Sequence, residues 1–476
     1  MDAAPFRELQ PENERLRQQL AERDRLIEQL QQTVRDLQQR LEAAERSAKR
    51  QAAPFSKGEP KKNPKKPGRK NGAQHGQHGH RPPPPPTQVD ETLEAPLPTR
   101  CPDCGGTIAE THCDQQFQTE IPRQPIHRQF NIHCGRCQDC GRSVRGRHSL
   151  QTSDATGAAQ SQLGPDAQAA VVDLNKRAGM SYGKIVGTFA KFFGITLSRG
   201  ACAQIVLRAG RRLRPVYEQI QERIKTAEHL TPDESGWRIG GHPVWIHAWV
   251  GDDGTTCYVI DPCRGGEVLA EVIGWDWSGT MTHDGYSSYD RFDEATHQQC
   301  VDHVLRRARK MAEQQNGAAR VFPLRVIDLF QEALAVRDQF LEGHIDQAAL
   351  EQAHEQYVTR LLDLSERPRL HDANNTLAKH LYNHGEQWLM FLLDASIPAT
   401  NHRAEQALKG PIVNRKVWGG NRTDAGAAAQ EVTSSVLQTC KNKAIDAFDF
   451  VSSALRGVIG NLFLSHDTST PAPAGR

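Results

Sequence analysis

The sequence predicts a multidomain protein: an N-terminal α-helical coiled coil, a small cysteine-rich ribbon, a helical region of helix-turn-helix type, and an α/β domain with a helical insertion. Three observations predict it. Apolar residues recur in heptads through residues 9–48. Two Cys-x-x-Cys-Gly motifs stand about 30 residues apart. After Leu230, short alternating segments with Asp-Gly turns replace helical periodicity, which returns from Cys300 onward. At 476 residues, the chain exceeds one compact core and suits about two to four domains.

A formal net charge of +2 leaves nucleic-acid affinity to local basic patches. No stretch of about 18 apolar residues is present, so no spanning helix is expected and the membrane is excluded as a partner. The start, Met1-Asp2-Ala3-Ala4-Pro5, has no apolar signal segment. Cysteine numbers 11, an odd count clustered in one window, which favours metal ligands and free thiols in a reducing cytoplasm over disulfides.

In the first segment Leu9, Leu16, Arg23, Leu30, Leu37 and Ala44 form one seven-residue series. Asn13, Leu20, Ile27, Val34 and Leu41 interleave with it. This is an a/d seam with Leu at most d positions and β-branched residues at two a positions, the pattern of a parallel two-stranded coiled coil. A homo-oligomer is therefore expected. Residues 49–100 change character. Lys57, Lys61, Lys62, Lys65, Lys66, Arg69 and Lys70 alternate with Pro60, Pro64, Pro67 and Gly68, followed by His75, His78, His80 and Pro82 to Pro86. Such a stretch buries nothing and reads as a disordered or polyproline-like basic linker able to follow DNA phosphates.

The ribbon, residues 101–150, pairs Cys101-Pro102-Asp103-Cys104-Gly105 with Cys137-Gln138-Asp139-Cys140-Gly141. Each knuckle turns two thiolates toward one point, and four sulfurs close a tetrahedral structural zinc site. Cys113 and Cys134 complicate the count, since Cys134-x-x-Cys137 has the same spacing; the glycine after Cys140, matching that after Cys104, favours Cys137 and Cys140. Arg136, Arg142, Arg145 and Arg147 flank it. In residues 160–226, helical spacing over Ser181–Phe193 and Ser198–Arg212, separated by Gly194-Ile195-Thr196-Leu197, resembles a helix-turn-helix carrying Arg199, Arg208, Arg211 and Arg212.

The α/β domain, residues 227–460, opens with a strand expected to end at Asp233, followed by strands over His242–Val250 and Thr255–Asp261 joined at Gly251-Asp252-Asp253-Gly254. A helix over Gly266–Ile273 leads to an extended piece, Gly279–His283, that ends at Asp284. Both acids would then stand at strand ends. Neighbouring strands would bring their carboxylates together, and with a third they could hold two Mg²⁺ or Mn²⁺ ions for phosphodiester chemistry. Helices over Cys300–Glu313, Pro323–Leu341, Ile345–Leu364 and Leu377–Leu393 form an insertion at about 305–395. A final helix, capped at Thr400 or Asn401, carries Glu405 beside an apolar stripe of Ala404, Ala407 and Leu408. Glu234, adjacent to Asp233, should face the other side of the strand and act in support. His303, Arg306, Arg307, Arg415, Lys416 and Arg422 read as phosphate contacts or supporting groups, and Trp237, Trp245 and Trp249 as core. Residues 461–476 read as a disordered tail.

Asp233-Glu234-Ser235-Gly236-Trp237 and His283-Asp284-Gly285-Tyr286, with Cys300-x-x-His303 and Arg306-Arg307, resemble the core of the insertion sequence 66 family of bacterial transposases. So does Asn401-x-x-x-Glu405-x-Ala407-Leu408, followed by Asn414-Arg415-Lys416 and Trp418-Gly419-Gly420. The resemblance runs through almost the whole chain, including Gly68-Arg69-Lys70. It implies a ribonuclease H-like catalytic domain with Asp233, Asp284 and Glu405 as the DDE triad using Mg²⁺ or Mn²⁺, and Cys300, His303 and Asn401 in supporting places. It also implies cleavage at the element's terminal inverted repeats, joining of 3′-OH ends to target DNA, companion transposition proteins among the partners, and a nucleoid-associated location in a bacterial cytoplasm. Thr400-Asn401-His402 departs from the family's usual Asp-Asn-Asn, and Gln406 replaces a usual Arg. The alternative reading is a coiled-coil, zinc-ribbon DNA-binding protein whose nuclease domain is inactive or auxiliary.

Overall fold

The computed structural model describes residues 161–366 and 371–463 continuously, together with 83–93, 98–107, 125–156, 22–34 and a few single positions. Cys113, most of the basic linker, and residues 464–476 lie outside the described residues. So do the coiled-coil positions Leu9, Asn13, Leu16, Leu41 and Ala44.

Residues 22–34 form a helix, α1, with every described side chain exposed. Leu20, Ile27, Leu30, Val34 and Leu37 are each about half exposed or more. In the part of the linker that is described, Pro86–Gln88 forms a short 3-10 turn with no buried residue, where polyproline or disorder is expected from composition. Two short antiparallel strands, β1 (Cys134–Arg136) and β2 (Ser143–Arg145), enclose the second cysteine knuckle.

The mixed α/β body is built on a five-stranded sheet of β3 (His229–Ile239), β4 (His242–Gly251), β5 (Thr256–Asp261), β6 (Thr280–His283) and β7 (Thr296–Gln299). Its order is β5-β4-β3-β6-β7. The first three strands form an antiparallel meander, whereas β6 pairs parallel to β3, and β7 parallel to β6. Gly240 and Gly241 supply the positive φ that a tight β3–β4 turn demands. At the β4–β5 turn Asp253 accepts from Thr255 N at 2.8 Å and pairs with Arg223 and Lys443.

The expected strand end at Asp233 is corrected: β3 continues to Ile239, because β4 pairs with it along its whole length from Leu230↔Gly251 to Ile239↔His242. Only the parallel pairing with β6 ends early, at Leu230↔Met281.

Two helical layers cover the sheet. Helices α2 (Pro165–Lys176), α3 (Tyr182–Phe193) and α4 (Arg199–Lys225) share one core with Leu230, Trp249 and Met281 of the sheet. That core also takes in α5 (Glu267–Ile273), α11 (Asp424–Asn442) and α12 (Ala447–Leu455). Ser181 and Ser198 cap α3 and α4 by accepting from Lys184 N and Ala201 N. Helix α4 runs 27 residues, well past the expected Arg212, since Leu213, Val216, Ile220 and Ile224 extend its buried stripe. On the opposite face Trp237, Ile246 and Ala248 pack against Ala404, Ala407 and Leu408 of α10 (His402–Trp418).

The insertion has its own core, formed by α6 (Val301–Gln314), α7 (Ala318–Leu341), α8 (Gln347–Glu366) and α9 (Asp372–His384). Where one helix is expected over Leu377–Leu393, α9 stops at Gly385 (φ 39°) and two 3-10 turns follow.

Candidate active site on the sheet

Alternation along β3 sends Leu230 into one core and Trp237 into the other. Asp233 therefore lies on the Trp237 face, beneath α10, and its cross-strand neighbour on β4 is the small Ala248. Glu234 lies on the opposite face, as the side-chain period requires. Asp233 and Asp284 each stand three residues beyond the last paired positions of β3 and β6, Leu230 and Met281. Equal offsets on parallel neighbours place the two acids side by side where the strands diverge.

Asp233 is mostly buried, and its carboxyl is pushed up to about 7, first by burial, then by the nearby charges of Glu234 and Asp284 and more weakly by Glu405; the Glu234 N–H, donating to Asp233 Oδ1 at 2.9 Å, opposes this. Asp284 and Glu405 are thus both close enough to act on Asp233. Asp284 Oδ1 accepts from Tyr286 N at 3.1 Å, closing a tight turn in which Gly285 has φ 83°. His283, fully buried, fixes the start of that turn. Its Nδ1 accepts from Gly285 N at 3.3 Å, its Nε2 meets His297 Nδ1 at 3.0 Å, and His297 Nε2 reaches the Phe292 carbonyl at 3.1 Å. Burial and the neighbouring histidines push His283 down to about 3, so its ring is neutral.

Glu405 sits in the first turn of α10. Arg306 Nη2 approaches its Oε1 at 3.0 Å and His303 Nε2 at 3.6 Å, and Arg306 also holds Asp302 at 2.7 Å. Asn401 occupies the N-cap position, but its side chain makes no capping bond; it turns inward to Cys300 instead. Glu234, with a side chain only 2% exposed, is ion-paired with Arg264 at 2.7 Å and accepts from the Tyr289 hydroxyl at 2.9 Å. Arg264 is in turn held between the rings of Trp245 and Tyr286, at 4.8 and 4.3 Å.

Arg415 donates to Ser235 Oγ at 3.3 Å and to the Gly236 carbonyl; among the described residues it has no carboxylate partner, and its Nε is buried without one of any kind. Burial and Arg238 lower its basicity. Arg307 and Lys416 are exposed. The Trp418-Gly419-Gly420 turn packs edge-on against Trp237, whose Nε1 donates to Asn421 Oδ1 at 2.8 Å. Sequence reasoning misses Tyr289, Arg264, His297 and Gln299, which carry no motif of their own.

Carboxylate oxygens crowded by mutual repulsion are the donor chemistry of a hard divalent cation. Among the described residues no three His, Cys, Asp or Glu side chains close on a single point; Glu405 is turned to Arg306.

The two cysteine knuckles are twins. Gly105 N donates to the Cys101 carbonyl and Cys101 N to the Gly106 carbonyl, while Gly141 N donates to Cys137 O and Cys137 N to Arg142 O. Gly105 and Gly141 both have positive φ, 75° and 68°. Backbone N–H groups of Cys104 and Asp103 lower the Cys101 thiol, as those of Cys140 and Asp139 lower Cys137. Cys134 lies on β1 outside this pattern.

Comparison with known proteins was made on this background. The model of a family described as "Transposase IS66 family" matches residues 160–429. An uncharacterized protein, y4qI, of Sinorhizobium fredii is 23% identical over 292 residues. That match takes in 55% of this chain and 53% of the relative, so the chain spans about half the length of the curated protein it matches.

Proposed function

The chain belongs to the IS66 transposase family, and from that premise we propose that it is a DNA transposase whose catalytic triad is Asp233, Asp284 and Glu405. It would bind the terminal inverted repeats of its element, cleave phosphodiesters to leave 3′-OH ends, and join those ends to target DNA. The observation that carries the reading is the equal offset of Asp233 and Asp284 on adjacent parallel strands, with Glu405 presented from α10 on the same sheet face. The strand order, three antiparallel strands followed by two parallel ones, supports a ribonuclease H-like domain.

The carboxylates would hold Mg²⁺ or Mn²⁺, which supply Lewis acidity at the reacting phosphate. Each of the other residues has a part set by its contacts. Arg415, a guanidinium on the face of Asp233 without a carboxylate partner among the described residues, binds and orients a phosphate oxygen, with Lys416 and Arg307 extending the cationic track. Arg306 and His303 hold Glu405 in place. Glu234, already ion-paired, keeps Arg264 and Tyr289 beside the second acid and takes no part as a ligand. The four cysteines Cys101, Cys104, Cys137 and Cys140 would hold a structural zinc ion, and the helix-turn-helix arginines and the basic linker would contact DNA. Companion transposition proteins and a nucleoid-associated cytoplasmic location belong to the same reading. Among the described residues no helix is long and apolar enough to cross a membrane.

The test uses linear DNA carrying the element's end. Asp233→Asn, Asp284→Asn and Glu405→Gln should each lower cleavage and strand transfer in Mg²⁺ by about three orders of magnitude, the loss of several kcal/mol of charge stabilisation. Retention of strand transfer by one variant would remove that residue from the triad.

A further inference from the structure

Resting on the reading just given, we infer that Cys300 is a positioning residue: its buried thiol locks Asn401 and thereby fixes the spacing between the second acid, Asp284, and the third, Glu405. Cys300 is 1% exposed and stands between β7 and α6. Its backbone N–H donates to the carbonyl of His283, the residue before Asp284, at 2.8 Å. Its Sγ donates to Asn401 Oδ1 at 3.1 Å and accepts from Asn401 N at 3.3 Å. The Asn401 carbonyl then accepts from Glu405 N at 3.1 Å. Val301 N adds a bond to the Ala399 carbonyl at 2.9 Å, one residue before the last turn into α10.

An unbroken hydrogen-bonded path therefore runs from the neighbour of Asp284, through one thiol, to the peptide of Glu405. It joins segments more than a hundred residues apart in sequence. The physical role of the thiol follows from its bonding capacity, one donor and one acceptor on a single atom. It satisfies the side-chain oxygen and the backbone N–H of an asparagine that is itself 1% exposed, while the side-chain Nδ2 is buried without a partner. This explains why Asn401, at an N-cap position, does not cap its helix: its carbonyl oxygen is engaged with sulfur. It also gives Cys-x-x-His two separate tasks. Cys300 sets the position of the helix and His303, one turn on, contacts Glu405 itself. Neither is a metal ligand in this arrangement.

Supporting groups that orient metal-binding side chains typically change metal affinity by about 10- to 100-fold, and that is what the experiment reads. The full chain and its variants Cys300→Ser, Cys300→Ala, Asn401→Ala and the double alanine are titrated with Mn²⁺, following the free-ion electron paramagnetic resonance signal without DNA. The Mn²⁺ dependence of end cleavage and the thermal midpoint are measured in parallel. Cys300→Ala and Asn401→Ala should each raise half-saturating Mn²⁺ by about tenfold in both binding and cleavage. The double variant should be no worse than either single one, and Cys300→Ser, which keeps a donor and an acceptor, should stay within about twofold of the parent. A lowered thermal midpoint with unchanged Mn²⁺ dependence in Cys300→Ala overturns the inference, leaving Cys300 as packing alone. Should Cys300→Ala not fold, an unshifted Asn401→Ala does the same. A parent chain that neither binds Mn²⁺ nor cleaves overturns the transposase reading together with this one, whereas an active parent with unshifted variants overturns this one alone.

Discussion

At the scale of single residues, the site holds an electrostatic conflict with a measurable consequence. Asp233 has its carboxyl raised from 3.8 to about 7 by burial and by Glu234, Asp284 and Glu405. A carboxyl whose folded value lies above its unfolded value binds its proton more tightly in the folded state, so folding stability falls as pH rises from about 4 to about 7 and levels off above that. Asp233→Asn removes the effect. In chelator-containing buffer, urea unfolding should show parent and variant nearly equal at pH 4. The variant should become the more stable by on the order of 2–4 kcal/mol at pH 8. A pH-independent difference would show that the four acids do not share a field. Of this site, the acids and the Cys-x-x-His pair were legible because each sits in a short motif at a strand or helix boundary. Arg264, Tyr289 and His297 were not, because what makes them part of the site is a neighbour brought from another strand. Glu234 on its own face of β3 followed from strand alternation alone.

At the scale of elements, what the sequence showed depended on where burial is apolar. Strands β4 and β5 and helices α5, α6 and α8 fall within a few residues of their expected bounds, since their buried positions are hydrophobic and periodic, whereas β3 runs on past Asp233. Strand β7 had no such signal: Thr296-His297-Gln298-Gln299 is polar, and its buried glutamines are held by hydrogen bonds, with Gln299 Oε1 left without a partner. Gln298 reaches the Trp388 carbonyl and Phe391 N, and Gln299 reaches His384 and Gln387. Periodicity also could not mark the break in α9, since Trp388, Leu389, Phe391 and Leu392 stay buried through the 3-10 turns. Within the expected part of α4, Gly210 marks a tight crossing with α11. A Cβ added to Gly210 would stand 2.8 Å from Ala429 Cβ and 2.9 Å from its Cα. Gly210→Ala should therefore push the two helices apart despite its better helix propensity. The overpacking costs about 1–3 kcal/mol, and the thermal midpoint should fall accordingly. An equal or higher midpoint would mean that the crossing relaxes freely. The cysteine knuckles form a second such element: the purified chain should carry about one zinc ion per chain, measured by atomic absorption. Cys104→Ser and Cys140→Ser should each lose it, and substitution of Cys134 should not.

At the scale of the whole molecule, the packed cores around the candidate acids and the exposed heptad helix are different parts of the chain. The acids, their helices and the insertion form continuous cores between residues 161 and 463, and residues 22–34 contribute to none of them. Yet that helix keeps Leu20, Ile27, Leu30, Val34 and Leu37 between 49% and 59% exposed. These are the residues at heptad spacing, an a/d stripe that packs into none of the cores formed by the described residues. A regular apolar seam on an otherwise charged helix is stable when a second copy covers it. If the proposed joining of two element ends uses one active site for each end, the seam is where pairing of subunits should act on function. Ile27→Glu with Leu30→Glu places charge at adjacent a and d layers without touching the catalytic body. Light scattering should then show the mass of one chain where the parent shows a multiple. Nicking of a DNA with a single end, which one site can perform, should stay within about threefold of the parent, while concerted joining of two ends should be lost. If the variant keeps the parent's mass, the seam is not the oligomer interface. If it becomes monomeric and still joins paired ends, the subunits meet through the catalytic body, and the heptads serve some purpose other than synapsis.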